Sequence, residues 1–444
     1  MFGFLRSKRF WKRLVIGLGL LVAIALIANG FMAWQTERRL QAKVAAIRAA
    51  GDPASISDLA PEPIPDDQNA AILMERLGPR LDAFSKEYGR FSETPLSEAF
   101  DERVDKGEPP MPEQIAAIRA ILDKYPDIPA GLAAAAECEM YASTADFSVD
   151  HQNVLDQWLK NQIGRVRTAA RFLEWRSQVL LAEGKNEEAV EQGIELLRIA
   201  RLYDAEPLLV NYLVGVAVRG FAVNMLYDAL GAGAVRPELH AAVEKELALH
   251  DTPQRFVHAL KTDRAYSASV VAEAGVGTVI GENKPFYFDL VAWSMKRLFM
   301  DELDYLDTHI TTIGTTWPNP NNQVGRGGLR SETDLGVMAD LMIPALQAAY
   351  NAEARIVAVM RALRIFNALT LYHTTNGREA SGLGNLNLPK ESTIDPYTGE
   401  PLKLKHTDDG WVIYSVMENG MDDGGDFKEL KDFGVAPRKL RGTE

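Results

Sequence analysis

The sequence predicts a mainly α fold: an N-terminal transmembrane helix, a multi-helix body that is partly tetratricopeptide-like, and a small α+β module built from a long helix and a β-hairpin. Three observations predict it. An uncharged apolar run fills Leu14 to Trp34, apolar residues recur at helical spacing through most of the next three hundred positions, and strand-like alternation is confined to the stretch around Leu402 to Val416. The divisions read as 1–35 for a cytoplasmic tip and anchor, 36–66 for a stalk and Pro-rich linker, 67–316 for the helical body and 333–430 for the α+β module.

At 1.5 Å per residue, a helix through Leu14 to Trp34 crosses a hydrocarbon core of about 30 Å. The alternative is a cleavable signal peptide, with Ala28, Asn29 and Gly30 near the end of the run. Its apolar core is too long and its cleavage site too poor for that, so the run reads as an uncleaved anchor. Arg6, Lys8, Arg9, Lys12 and Arg13 precede it, and Arg38, Arg39, Lys43 and Arg48 follow. The basic flank places the N-terminus in the cytoplasm and the body in the periplasm, a single pass through the inner membrane.

The chain has 48 basic and 61 acidic residues; nine basic and one acidic (Glu37) lie in the first fifty, which leaves 39 and 60 beyond Ala50. A body with a net charge of −21 repels nucleic acid and anionic lipid, so the expected partners are the membrane, through the anchor, and a protein of the cell envelope. Cys138 is the only cysteine, which excludes an intramolecular disulfide and a multi-thiolate zinc site.

From the membrane outward, Thr36 to Ala50 continues as a helical stalk with Leu40, Val44 and Ile47 on one face. Gly51 ends it, and the Pro- and Asp-rich connector that follows reads as an extended spacer between body and bilayer. Asp66 or Asp67 is the expected N-cap of the next helix, and Pro112 the N1 residue of a later one. A stripe of Leu155, Leu159, Ile163, Val166, Ala170, Leu173 and Leu180 stops at Gly184, and a new helix starts at once. Gly184 and Ala189 have the turn spacing of a tetratricopeptide hairpin, without a second copy about 34 residues away. Leu208 to Leu230 is apolar almost all round; Arg219, Asn211 and Asn224 make it the body's core helix rather than a second span.

Helices at Pro237 and Pro253 lean on it, then a Gly-rich break (274–285), a further helix or pair, and a boundary at PNPNNQVGRGGLRSE. Gly325, Gly327 and Gly328 there lack the strand and the Gly-Lys-Ser/Thr of a phosphate loop. Pro344 then opens a long helix closed by Asn376-Gly377, and Leu402, Leu404, Asp409-Gly410 and Trp411 to Val416 read as a β-hairpin.

The succession of helix, LTLYHTTNG, DPYTGEPL, hairpin and YSVMENGMDDGG over Ala352 to Gly425 resembles the C-terminal domain of the major pseudopilins of type II secretion. More loosely, the layout resembles uncharacterised bacterial membrane-anchored proteins with such a tail. In pseudopilins the closing loop holds calcium, and the resemblance puts candidate oxygen ligands at Glu418, Asn419, Asp422 and Asp423. This chain departs from the pattern at Met417, where Gly is usual, and at Asn419, where Asp is. The prepilin processing signal is also missing, since Lys8 stands where Glu is required, so assembly into a pilus is not implied.

No motif identifies a reaction or an organic cofactor: there is no His-Glu-x-x-His, Gly-x-Ser-x-Gly, dinucleotide fingerprint or Walker loop. His250 and His258 fall on two sides of a helix start, and Cys138, between Glu137 and Glu139, reads as a small buried residue. Asp301, Glu302 and Asp304 beside Tyr305 form either a carboxylate pair or, the reading preferred, a solvated face; Trp158, Phe172 and Trp175 have core spacing. Two functions remain: a non-catalytic interaction or scaffolding protein, envelope- or secretion-related, or a hydrolase using acids from separate helices.

Overall fold

The computed structural model describes residues 8–149, 151–158, 163–273, 288–316, 337–427 and 431–440. The Gly-rich break and the PNPNNQVGRGGLRSE boundary lie outside them. The described chain is mainly helical with one small antiparallel sheet.

The anchor and stalk form one helix, α1 (Lys8–Ala49). Its apolar part stands clear of the protein, with Leu14, Ile16, Leu18, Leu21, Ile24 and Ile27 all exposed, whereas Thr36, Leu40 and Ile47 are buried. An N-terminal helix long and apolar enough to span a membrane is therefore present. The connector does not act as a spacer. Ala54, Ile56 and Leu59 are buried, the Ile56 amide donates to Ser269 Oγ at 2.8 Å, and Asp52 pairs with Lys261 (2.7 Å) and Arg264 (2.8 Å). Its prolines prevent a regular helix, and the three apolar residues among them supply enough burial to hold it on the body.

Five helices follow: α2 (Ala70–Ser92), α3 (Pro95–Asp105), α4 (Pro112–Leu122), α5 (Asp127–Glu137) and α6 (His151–Gln157). The N-cap of α2 is Asn69, whose side chain accepts from the Ala71 amide at 3.0 Å, and not Asp66 or Asp67, which lie in a short 3₁₀ turn before it. Pro112 opens α4 as expected. The hairpin α7 (Ile163–Ala182) and α8 (Asn186–Tyr203) turns at Gly184, whose φ of 74° suits a glycine C′ residue.

Helix α9 (Leu209–Gly231) lies at the centre, in contact with α7, α8, α11 (Gln254–Glu273) and α13 (Val337–Asn376). That placement makes it the core helix the sequence predicts. Between them come α10 (Pro237–His250) and a single helix α12 (Phe288–Thr316). Helix α13 begins seven residues before Pro344, so that proline lies inside the helix and not at its start. One proline removes a single backbone bond, which a forty-residue helix survives.

The sheet has the order β1 (Lys403–Thr407), β2 (Gly410–Ser415), β3 (Phe433–Val435), all antiparallel. Thr407 pairs with Gly410, so Asp408 and Asp409 form the turn. The third strand carries no periodic signal at three residues. It depends on Gly434, where a Cβ would come within 2.0 Å of the Ile413 carbonyl oxygen. Ile356, Leu363 and Phe366 of α13, with Ile413 and Val435 of the sheet, belong to the same apolar cluster as α2, α7, α8, α9 and α10.

Candidate binding groove

A groove of about 1620 Å³ opens where the C-terminal ends of α9 and α13 meet α4, α7 and the tip of the hairpin. Its floor is apolar. Tyr227 and Phe366 stack with ring centroids 4.3 Å apart, beside Leu230 and Leu369. The Tyr227 hydroxyl donates to the Trp411 carbonyl at 3.2 Å, which ties α9 to strand β2. Trp411 stands at the rim, its indole Nε1 donating to Glu379 Oε2 at 3.0 Å, and His373 Nδ1 lies 2.8 Å from Glu379 Oε1. The His406 ring meets Trp411 edge-on at 4.8 Å.

The charges around the rim are largely used within the protein. Arg438 Nε donates to Asp228 at 2.8 Å, Lys439 pairs with Asp409, and Arg119 pairs with Glu183. One wall is a close approach of two distant segments: a Cβ added at Gly107 would lie 3.4 Å from the Lys439 amide nitrogen, and the left-handed φ of 68° there favours glycine. Another polar residue of the lining, His240, is held through Nδ1 by Asn367 Oδ1 at 2.7 Å.

A second constellation lies deeper. At the end of α8, Asp204 is buried against Arg219 of α9, and Arg219 Nε donates to His250 Nδ1 at 3.0 Å. Arg255 Nη1 approaches the same Nδ1 at 3.2 Å. Both guanidiniums are donors, so Nδ1 accepts and the ring proton sits on Nε2, 3.5 Å from Glu246 Oε1. Burial, together with the two guanidiniums, pulls the His250 pKa down to about 3 against the pull of Glu246, and the imidazole is neutral. Burial works to raise Glu246, but the His250 contact and the Arg201 bond at 2.6 Å outweigh it and bring it down to about 2. Glu353 of α13 accepts from the Tyr212 hydroxyl; burial pushes it up to about 7 despite that bond.

Asp204, Glu246 and Glu353 thus converge from three helices, which no sequence motif announces. Arg219, conspicuous in an apolar helix, is the one signal that could have found them. None of these acids lines the groove. The network seals the centre of the molecule, and each acid is matched by an arginine, a histidine or a tyrosine.

The residues singled out in the sequence fall in separate places. Glu418, Asn419, Asp422 and Asp423 share one exposed loop. There Asp422 Oδ1 accepts from the Tyr414 hydroxyl (2.9 Å) and the Gly424 amide (3.0 Å), and Asn419 Nδ2 donates to Asp423 Oδ2 at 3.2 Å. Met417 holds a left-handed φ of 56°, a conformation that favours the glycine of the resembling pattern. Among the described residues no group of three or more His, Cys, Asp or Glu side chains is gathered as for a metal ion.

Two expectations are corrected. Cys138 is only partly buried, because it caps the C-terminal end of α5 instead of facing the core. Glu302 is buried on α12 and accepts from Ser267 Oγ at 3.1 Å, while Asp304 on the same helix is exposed and pairs with Lys43. Burial pushes the Glu302 carboxyl up to about 7. Residues two apart on a helix point to different sides, so the solvated face includes Asp304 and not Glu302. Trp158, Phe172 and Trp175 are core residues as expected, and the Trp158 indole also donates to the buried Glu206.

Comparison of the whole chain with protein-family models, curated proteins and solved structures gives no match.

Proposed function

We propose that this chain is a membrane-anchored docking protein of the bacterial envelope, with its body in the periplasm, and that the groove takes an extended apolar segment of a protein partner. The observation that carries this reading is the groove's make-up. A floor of Tyr227, Phe366, Leu230 and Leu369 rewards burial of apolar side chains, while the Arg438–Asp228 and Lys439–Asp409 pairs leave little net charge to attract an ionic ligand. Its volume exceeds the roughly 300–1,000 Å³ typical of small-molecule sites and suits several peptide residues. The periplasmic setting rests on the basic flank of the anchor and the acidic body, and the resemblance of Ala352 to Gly425 to pseudopilins agrees with it.

Hydrolysis by acids from separate helices is the less favoured reading, because the acids that do converge are held in ion pairs or, for Glu353, by the Tyr212 hydroxyl, away from the groove. A photocrosslinking residue at Ala120 or Thr374, both in the groove lining, tests docking in the native host; Lys86, exposed on α2 outside the groove, is the control. One adduct of discrete mass should form from the groove positions and not from Lys86, and should fall several-fold in a Trp411→Ala variant. Equal adducts from Lys86, or none from the groove, would overturn the reading.

A further inference from the structure

The anchor does not leave the body where its apolar run ends. From Trp11 to Ala28 every residue of α1 is exposed, and inward-facing positions then start at Asn29 and recur at Met32, Thr36, Leu40, Lys43 and Ile47. The helical spacing of this stripe marks one face, and that face is covered by α12. Trp293 Nε1 donates to Asn29 Oδ1 at 2.7 Å, Lys296 pairs with Glu37 at 2.8 Å, Met300 and Leu303 pack on Leu40, and Asp307 lies 3.1 Å from Lys43. Later residues of α12 meet later residues of α1, so the two helices run in the same direction.

Depth follows from that direction. Asn29 lies five residues before Trp34, about 7.5 Å inside the end of the apolar run at 1.5 Å per residue. Phe288, the first residue of α12, lies five residues before Trp293 and therefore about as far again towards the middle of the run, near the level of Ile24. The sequence there is Phe-Asp-Leu-Val-Ala-Trp, apolar but for Asp289. An Asn side chain at the depth of Asn29 needs a hydrogen-bond partner because hydrocarbon offers none, and the Trp293 indole supplies it with an apolar ring suited to the lipid boundary.

We propose that the N-terminal turns of α12 form a second, non-spanning membrane contact, inserted beside the anchor into the leaflet from which α1 emerges, with phospholipid acyl chains as their partner. The body is then held against the bilayer at two points in a fixed orientation. The inference rests on α1 being a membrane anchor, and it is independent of what the groove binds.

Site-directed spin labelling of the full-length chain in phospholipid nanodiscs tests it. The labels go on Phe288→Cys and, in case that variant does not fold, Val291→Cys, both in a Cys138→Ser background; Ile24→Cys reports the anchor and Met421→Cys, on an exposed loop, reports water. The Phe288→Cys and Val291→Cys labels should collide several-fold more with oxygen than with a water-soluble nickel chelate, as Ile24→Cys does, and Met421→Cys should show the reverse. If Ile24→Cys is in lipid while the α12 labels behave like Met421→Cys, or are shielded from both reagents, the second contact is overturned and the anchor stands. If Ile24→Cys itself is open to the chelate, the anchor reading and this inference both fall.

Discussion

Glu353 is nearly fully buried and hydrogen-bonded to Tyr212, and its carboxyl is raised from an ordinary 4.5 to about 7. In the unfolded chain it ionises above pH 4.5, whereas the folded protein holds its proton to about pH 7. The folded state therefore loses stability as pH rises between these values, and the loss is complete above pH 7. Glu353→Gln keeps a group that can meet the Tyr212 hydroxyl and cannot ionise. Its stability should match the natural chain near pH 4.5 and exceed it by about 2–3 kcal/mol at pH 8. Thermal melting in detergent at both pH values measures the difference; a gap that does not change with pH would mean that Glu353 titrates in the fold as it does in the unfolded chain. His250 acts on the other side, because a ring held neutral to about pH 3 costs stability as pH falls below 6.5. At this scale little was legible beforehand. An acid on an amphipathic helix looks solvated until its distant arginine is known, and Arg219 stood out only because the residues around it are apolar.

Among the described elements, α8 and α9 pack against each other most extensively. Gly193 of α8 sits directly on Leu226 of α9, where a Cβ would come within 2.5 Å of the leucine Cγ. Gly193 is buried, and Leu226 belongs to the main apolar cluster with no exposed surface. Gly193→Ala forces the two helices apart or moves the leucine off its rotamer, at a cost of about 1–3 kcal/mol despite alanine's better helix propensity. In a Leu226→Ala background the same change should be close to neutral, because the clashing atoms are gone. A double-mutant cycle by denaturant unfolding reads this coupling, and equal costs in both backgrounds would rule out the contact as the cause. Elements of this kind were legible where they carry local chemistry. Pro112 at N1, Gly184 at C′ and the alternating hairpin all fall where the residues place them. The cap at Asn69 and the strand at Phe433–Val435 depend on partners far along the chain, such as the Ala142 amide that also donates to Asn69 and the Ile413 strand that accepts Gly434.

At the scale of the molecule, the segments before and after the 317–336 region share one apolar cluster, since α13 packs on α9 and α10. Local periodicity cannot show this, because it reports which face of a helix is buried and not what buries it. The same holds for the stalk and connector, which look like a spacer and are instead part of the body. Leu40, Ile47, Ala54, Ile56 and Leu59 are all buried, and Asp52 shares Arg264 with Asp307. A chain beginning at Thr36 loses the exposed apolar helix and, with it, the Asn29 bond to Trp293, and keeps every one of the contacts just named. A chain beginning at Asp66 loses them all, at about 1.5–3 kcal/mol for each large apolar side chain removed, and opens the surfaces of α11 and α12 beneath. The first should therefore melt close to the full-length body; the second should melt several degrees below the first and bind more of a dye specific for exposed apolar surface. Calorimetry and dye binding on the two proteins decide the matter. Equal melting of both would mean that the connector rests on the body without stabilising it, and would return it to the role of a spacer.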